Sequence, residues 1–263
     1  MSNITQAFAG HKAFIAFITG GDPDIETSEQ LILAMAESGA DLIEIGIPFS
    51  DPIAEGIVIQ EASARALQNG CTTDMLFEMV SRVRQKTSVP LLFMTYLNPI
   101  IGYGKEKFIR RCVTSGIDGI IVPDLPFEEK DELADICKIN GVDLISMIAP
   151  TSAERAAMIA REASGFIYCV SSLGVTGIRN NITTDIGEIV QQVRQISNIP
   201  CAIGFGISTP EQAGEMARLA DGVIIGSAIV KIVANYGMNS IEPVSEYIRS
   251  IKQGITGAGN AIR

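Results

Sequence analysis

Short apolar runs rich in Val and Ile recur along the chain, each bounded by Gly, Pro or Asp, at 13–18, 41–46, 90–95, 119–122, 142–148, 165–170, 201–205 and 222–225. Runs of this length and composition read as strands, and several are apolar on both faces, as strands covered by helices must be. Between them lie helix-like stretches at 28–37, 74–85, 105–114, 128–139, 153–162, 185–196 and 210–219. Strands that alternate with helices of this length predict βα units and a parallel sheet. Eight strands in 263 residues favour one α/β domain, a (β/α)8 TIM barrel, over an open sheet. No low-complexity linker divides the chain, and only the Gly-rich tail of about 254–263 reads as loose. The longest connection follows strand two, which makes it a place to look for function.

Several residues break this pattern where a barrel keeps its chemistry, at the carboxyl ends of strands. Glu44 lies inside Leu42-Ile43-Glu44-Ile45-Gly46, where an ionised side chain either pairs with a core cation or faces the pocket. The next segment, Pro48-Phe49-Ser50-Asp51-Pro52-Ile53-Ala54-Glu55-Gly56, is either a solvated loop or a flap that brings Glu55 over the mouth. In the second case two carboxylates flank one pocket, and separate environments can assign them separate roles.

Glycine clusters follow the last three strands: Leu173-Gly174-Val175-Thr176-Gly177, Gly204-Phe205-Gly206-Ile207-Ser208 and Gly226-Ser227-Ala228. Backbone N–H groups there, with a short helix starting near Ala228, suit a phosphate. Phe17 and Tyr168, near strand ends, are either core or the aromatic walls of a flat ligand.

Composition narrows the chemistry. Thirty Asp and Glu against 20 Lys and Arg give a formal charge of −10, which argues against a general nucleic-acid binder. A phosphate remains admissible, because backbone dipoles hold one without a basic cluster. His11 is the only histidine and precedes the first strand, away from the catalytic end, so acid–base work falls mainly to other side chains. The five cysteines are scattered and form no CxxC pair, as expected of buried thiols in a reducing compartment. With no basic leader and no run of 18 apolar residues, a cytoplasmic protein is expected.

The segment from Leu42 to Pro52 resembles the signature of the tryptophan synthase α subunit family. The resemblance continues through Phe17-Ile18-Thr19-Gly20-Gly21-Asp22-Pro23, Tyr96-Leu97-Asn98-Pro99-Ile100, Val122-Pro123-Asp124-Leu125-Pro126 and the three glycine clusters. It implies retro-aldol cleavage of indole-3-glycerol phosphate to indole and glyceraldehyde 3-phosphate, without metal or Schiff-base lysine. Glu44 matches the family's acid/base, and Glu55 falls where the family has an aspartate that accepts the indole N–H. Gly177, Phe205, Gly206, Gly226 and Ser227 match a phosphate cradle. Phe17, Ile59 and Tyr168 match the indole pocket, and Thr176 a mobile loop. The resemblance further implies an α2β2 complex in which indole passes to a β subunit, joined through the barrel mouth including Asp51-Pro52 and Asn98-Pro99. Pyridoxal phosphate belongs to that partner, so no cofactor is assigned to this chain.

One departure stands out: the family's Ala-Asp-Gly-Pro reads Ala54-Glu55-Gly56-Ile57 here. Glu adds a methylene, and Ile57 removes a proline that stiffens the loop. Two other readings follow: an α-type subunit acting mainly through its partner, or a different phosphate-binding barrel enzyme with a catalytic lysine at a strand end.

Overall fold

The computed structural model describes residues 2–149, 153–170, 182–204 and 206–259. Eight parallel strands, β1 (Ala13–Thr19), β2 (Leu42–Gly46), β3 (Leu91–Met94), β4 (Gly119–Ile121), β5 (Asp143–Ile148), β6 (Ile167–Val170), β7 (Cys201–Gly204) and β8 (Gly222–Ile225), pair in sequence order. β8 pairs back onto β1, with Ala13 opposite Gly222, so the sheet closes and has no free edge. All eight expected strands are present, within two residues of their expected bounds.

The helices are α1 (Asn3–Gln6), α2 (Ile25–Glu37), α3 (Ile57–Gln68), α4 (Thr73–Arg84), α5 (Leu97–Tyr103), α6 (Lys105–Ser115), α7 (Asp131–Asn140), α8 (Ala153–Glu162), α9 (Ile182–Arg194), α10 (Pro210–Leu219), α11 (Ser227–Tyr236) and α12 (Ile241–Gly259). Their starts follow from capping chemistry: Asp24 accepts from Thr27 N at the start of α2, and Thr209 forms a capping box with Gln212 at α10. The long connection after β2 holds two helices, α3 and α4. The stretch from Gly254, expected to be loose, instead continues α12 as far as Gly259, with Ile255 buried. Gly254 itself is a packing residue, since a Cβ there would lie 2.3 Å from the Pro210 carbonyl oxygen. Residues 260–263 lie outside the described residues.

Side chains alternate across the sheet. The barrel is filled by Ile15, Leu42, Leu92, Ile121, Ile145, Phe166, Ala202 and Ile224, and plugged from below by Ile4 and Phe8. The other face of each strand packs against the helices in one large apolar cluster. All five cysteines are free and buried. No helix among the described residues is long and apolar enough to cross a membrane.

The closed end of the barrel carries a repeated device. Asp41, Asp118 and Asp221 stand immediately before β2, β4 and β8. Each donates its backbone N–H to a carbonyl at the start of the preceding strand and accepts that same residue's N–H on Oδ2. The pairs are Asp41 with Phe14, at 2.8 and 2.7 Å, Asp118 with Leu91, both at 2.9 Å, and Asp221 with Cys201, at 2.8 and 3.0 Å. Each carboxylate also meets a cation, respectively Lys252, Arg84 and Arg194. His11, expected to lie away from the catalytic end, bridges the Ala9 carbonyl and Asp41 at this end.

Asp118→Ala should therefore lower the unfolding free energy by about 2–3 kcal/mol, because it leaves the Leu91 N–H without an acceptor and the Arg84 guanidinium, still bonded to the carbonyls of Thr87, Val89 and Gly116, without its carboxylate. Denaturant unfolding measures this, and a loss below about 0.5 kcal/mol, the scale of an ordinary surface substitution, would contradict the clamp.

Candidate active site

The open end of the barrel gathers the residues that broke the sequence pattern. Glu44 is the middle residue of β2, faces the interior, and is 1% exposed. Its register neighbours are Phe17 and Leu92, and its Oε1 has no hydrogen-bond partner among the described residues. A carboxyl so placed ionises reluctantly, because nothing replaces the lost water. Burial accordingly pushes its pKa up to about 8. The alternative of a pairing with a core cation is not what the fold provides.

Glu55 is half-buried and its Oε2, shielded from solvent, also lacks a partner among the described residues. Burial raises its pKa to about 7. The loop that carries it is tied down: the Ala54 N–H donates to the Tyr96 hydroxyl at 3.0 Å, the Tyr96 ring packs on Phe49, and Gln60 donates to the Glu55 carbonyl at 2.7 Å. Tyr96 is itself buried, which pushes its phenol up to about 12 and keeps it a neutral donor or acceptor. Asp124 accepts from Leu97 N at 2.9 Å and so joins two of the singled-out motifs. Ile57 is the first residue of α3, a position where proline's missing N–H does no harm. Its side chain is 71% exposed, and that of Ile53 is 79% exposed.

Phe17, Ile59, Val58, Ala62, Met94 and Val230 form one apolar wall at the mouth. α3 is held there by Arg65, whose Nε and Nη2 donate to the two carboxylate oxygens of Asp22 at 2.9 and 2.8 Å. This pair was not among the sequence expectations, although Asp22 lies in the Phe17–Pro23 segment and a buried aspartate needs a partner. Tyr168 stands on β6, and burial, with Glu44 nearby, raises its pKa further than that of Tyr96. Three strand-end glycines make room for these rings. A Cβ on Gly204 would lie 2.5 Å from the Tyr168 hydroxyl, one on Gly46 2.7 Å from Phe17 Cζ, and one on Gly226 3.1 Å from Phe17 Cδ1. Part of the glycine signal thus records aromatic packing.

Gly206 differs from those three. Its φ of +69° favours glycine, and none of the described residues lies within 4 Å of where a Cβ would be, so its backbone borders space that they leave open. Gly226 caps α11 without any side-chain hydrogen bond, leaving the first N–H groups of that ten-residue helix, beginning at exposed Ser227, free of a side-chain cap. Thr176, Gly177 and Phe205 lie outside the described residues. Among the described residues no group of three or more His, Cys, Asp or Glu is placed to hold a metal ion.

Comparison with known proteins bears on this arrangement. The family model described as tryptophan synthase alpha chain matches residues 4–256. The tryptophan synthase alpha chain of Lacticaseibacillus casei is 46% identical over 252 residues, covering 96% of this chain and 95% of the relative. That of Geobacter sp. strain M21 is 47% identical over 262 residues, covering 97% and 98%. Among solved structures, tryptophan synthase subunit alpha from Legionella pneumophila superposes with a TM-score of 0.89 at 35% identity, covering 98% of this chain and 99% of that one. A chain of the tryptophan synthase complex from Pyrococcus furiosus gives 0.82 at 34% identity, covering 92% and 99%.

Burial of Glu44 and Glu55 has a consequence for stability. Both folded pKa values stand above those of the unfolded chain, so the stability held by their neutral forms is complete below the ordinary carboxylate range. It is lost as pH rises through about 7 for Glu55 and about 8 for Glu44. Glu44→Gln should match the parent below about pH 4 and exceed its unfolding free energy by about 4 kcal/mol at about pH 8. Denaturant titrations across this range test it, and parallel pH profiles for the two proteins would mean that Glu44 ionises normally.

Proposed function

This chain belongs to the tryptophan synthase alpha chain family, lyases of tryptophan biosynthesis, and on that premise we propose that it cleaves indole-3-glycerol phosphate to indole and glyceraldehyde 3-phosphate at the barrel mouth. The observation that carries the reading is Glu44, an unpartnered interior carboxyl that is neutral at physiological pH. As an acid it protonates C3 of the indole ring, giving an indolenine with iminium character at nitrogen. The carboxylate left behind takes the proton of the adjacent carbinol hydroxyl. The C–C bond then breaks, its electron pair returns to the ring to neutralise the iminium, and the carbinol carbon becomes the aldehyde. Glu44 ends protonated, and the substrate has served as its own electron sink.

Glu55, titrating near 7, supplies the carboxylate that accepts the indole N–H and offsets the ring charge. Phe17, Ile59 and Tyr168 enclose the indole, and Gly206, Gly226 and Ser227, with Gly177 and Phe205, hold the phosphate at the N-terminus of α11. Thr176 belongs to the loop that excludes water on closure. The described interior-facing positions at strand ends, Thr19, Gly46, Met94, Tyr168, Gly204 and Gly226, offer no lysine, which weighs against a Schiff-base enzyme. A pyridoxal-phosphate-dependent β subunit receives the indole in an α2β2 assembly, and exposed Ile53 and Ile57 give the mouth an apolar rim for that partner. The complex works in the cytoplasm, and this chain needs no cofactor of its own.

Glu44→Gln should leave ligand affinity near the parent value and lower turnover by at least about 10²-fold. Steady-state assays with and without saturating β subunit test this, and near-normal turnover would remove Glu44 from the chemistry. Glu55→Ala should lower turnover sharply, while Glu55→Asp keeps or raises it. Equal rates for Ala, Asp and Glu would instead favour a subunit acting mainly through its partner. Gly206→Val should weaken binding of glycerol phosphate, measured by titration, and unchanged affinity would place the phosphate elsewhere.

A further inference from the structure

Along β1 the side chains of Ala13, Ile15 and Phe17 face the barrel interior, and the same alternation puts Thr19 there, on the last residue of the strand. Thr19 is 3% exposed, and its Oγ1 has no hydrogen-bond partner among the described residues. Buried hydroxyls are almost always paired, so an orphan at the mouth of a pocket points to a ligand.

Strand order says which part of a ligand. β1 lies between β8, which leads into Gly226 and Ser227, and β2, which carries Glu44 and places Gly46 opposite Thr19. The Phe17 ring, close to both Gly46 and Gly226, forms the floor one step below Thr19. A substrate with its phosphate at the end of β8 and its reacting carbon at Glu44 lays its three-carbon chain across the end of β1. That chain bears two hydroxyls. The one next to the ring loses its proton to Glu44 and becomes the aldehyde, whereas the middle one changes no bond and has no partner in the reaction.

We propose that Thr19 Oγ1 is the hydrogen-bond partner of this middle hydroxyl, which makes Thr19 a specificity-determining residue selecting a hydroxylated chain over a plain one. The assignment rests on the reaction proposed above.

The test uses two ligands in a Glu44→Gln background, which holds substrate without turning it over. These are indole-3-glycerol phosphate and indole-3-propanol phosphate, whose chain lacks both hydroxyls. By calorimetric titration, adding Thr19→Val should weaken the glycerol ligand about three- to tenfold, the range of one hydrogen bond, and shift the propanol ligand by less than about twofold. Thr19→Ser should restore the glycerol ligand. Without ligand, the thermal midpoint of Thr19→Val should not fall, since a methyl group replaces an unpaired hydroxyl. Equal weakening of both ligands, unchanged affinity for both, or a Thr19→Val protein that fails to fold would each overturn the assignment, the last because the hydroxyl would then be holding the ligand-free fold together. If neither ligand binds the Glu44→Gln parent, the reaction itself is misassigned and Thr19 falls with it; if both bind there and Thr19→Val alters neither, Thr19 alone is misassigned.

Discussion

A carboxyl group taken out of water with no cation among the described residues to replace it gives up its charge readily, and Glu44, whose Oε1 finds no donor among them, is such a group. Its surroundings follow from barrel closure. With eight strands paired in a ring and the interior below filled by Ile, Leu, Phe and Ala, no counter-ion among the described residues stands beside Glu44 on β2. Neutral Glu44 is therefore a product of the whole fold, and a local substitution that admitted water would change its acidity before changing its position. The same desolvation acts more weakly on Glu55, which sits on a loop and not on a strand.

The two ends of the barrel treat polar groups in opposite ways. At the closed end, Asp41, Asp118 and Asp221 are each saturated by two backbone bonds and a cation, so polarity there serves stability. At the open end, Thr19 Oγ1, Glu44 Oε1 and Glu55 Oε2 are shielded from solvent and unpaired. Other buried polar atoms also lack partners among the described residues, Asp143 Oδ2 at the start of β5 for one, but the three at the open end belong to residues of one mouth, where a ligand can complete them. The Asp22–Arg65 pair and the Tyr96 hydroxyl stand between these extremes, since both are satisfied and both hold in place segments that line the mouth.

Much of this was legible in the sequence. Eight β-rich runs gave the barrel because parallel strands buried on both faces need continuous apolar residues, and Glu44 stood out because it interrupted one. The closing aspartates were not read, although Gly39-Ala40-Asp41 and Gly116-Ile117-Asp118 repeat a pattern ahead of β2 and β4; their function lies in a reciprocal bond to another strand, which spacing alone does not reveal. α3 was missed because its first turn, Ile57-Val58-Ile59, has a strand's composition and no side-chain cap. The tail misled because Gly254 and Gly257 look like flexibility, whereas Gly254 is small to admit Pro210. The glycines after β7 and β8 signalled a phosphate but also conceal the room needed by Tyr168 and Phe17. Orphaned hydroxyls such as that of Thr19 belong to three-dimensional accounting and leave no mark in the sequence.

The protonation state of Glu44 decides whether it is the resting acid, and the most direct measurement is its titration in the free protein. Selective carbon-13 labelling of glutamate side-chain carboxyls, with Glu44→Gln to assign the resonance, follows that single group through pH. The account predicts a midpoint near the value of about 8 that burial imposes. A midpoint in the ordinary carboxylate range, about 4.3, would mean that the barrel does hydrate or pair this side chain, and would contradict the reading of Glu44 as the resting acid.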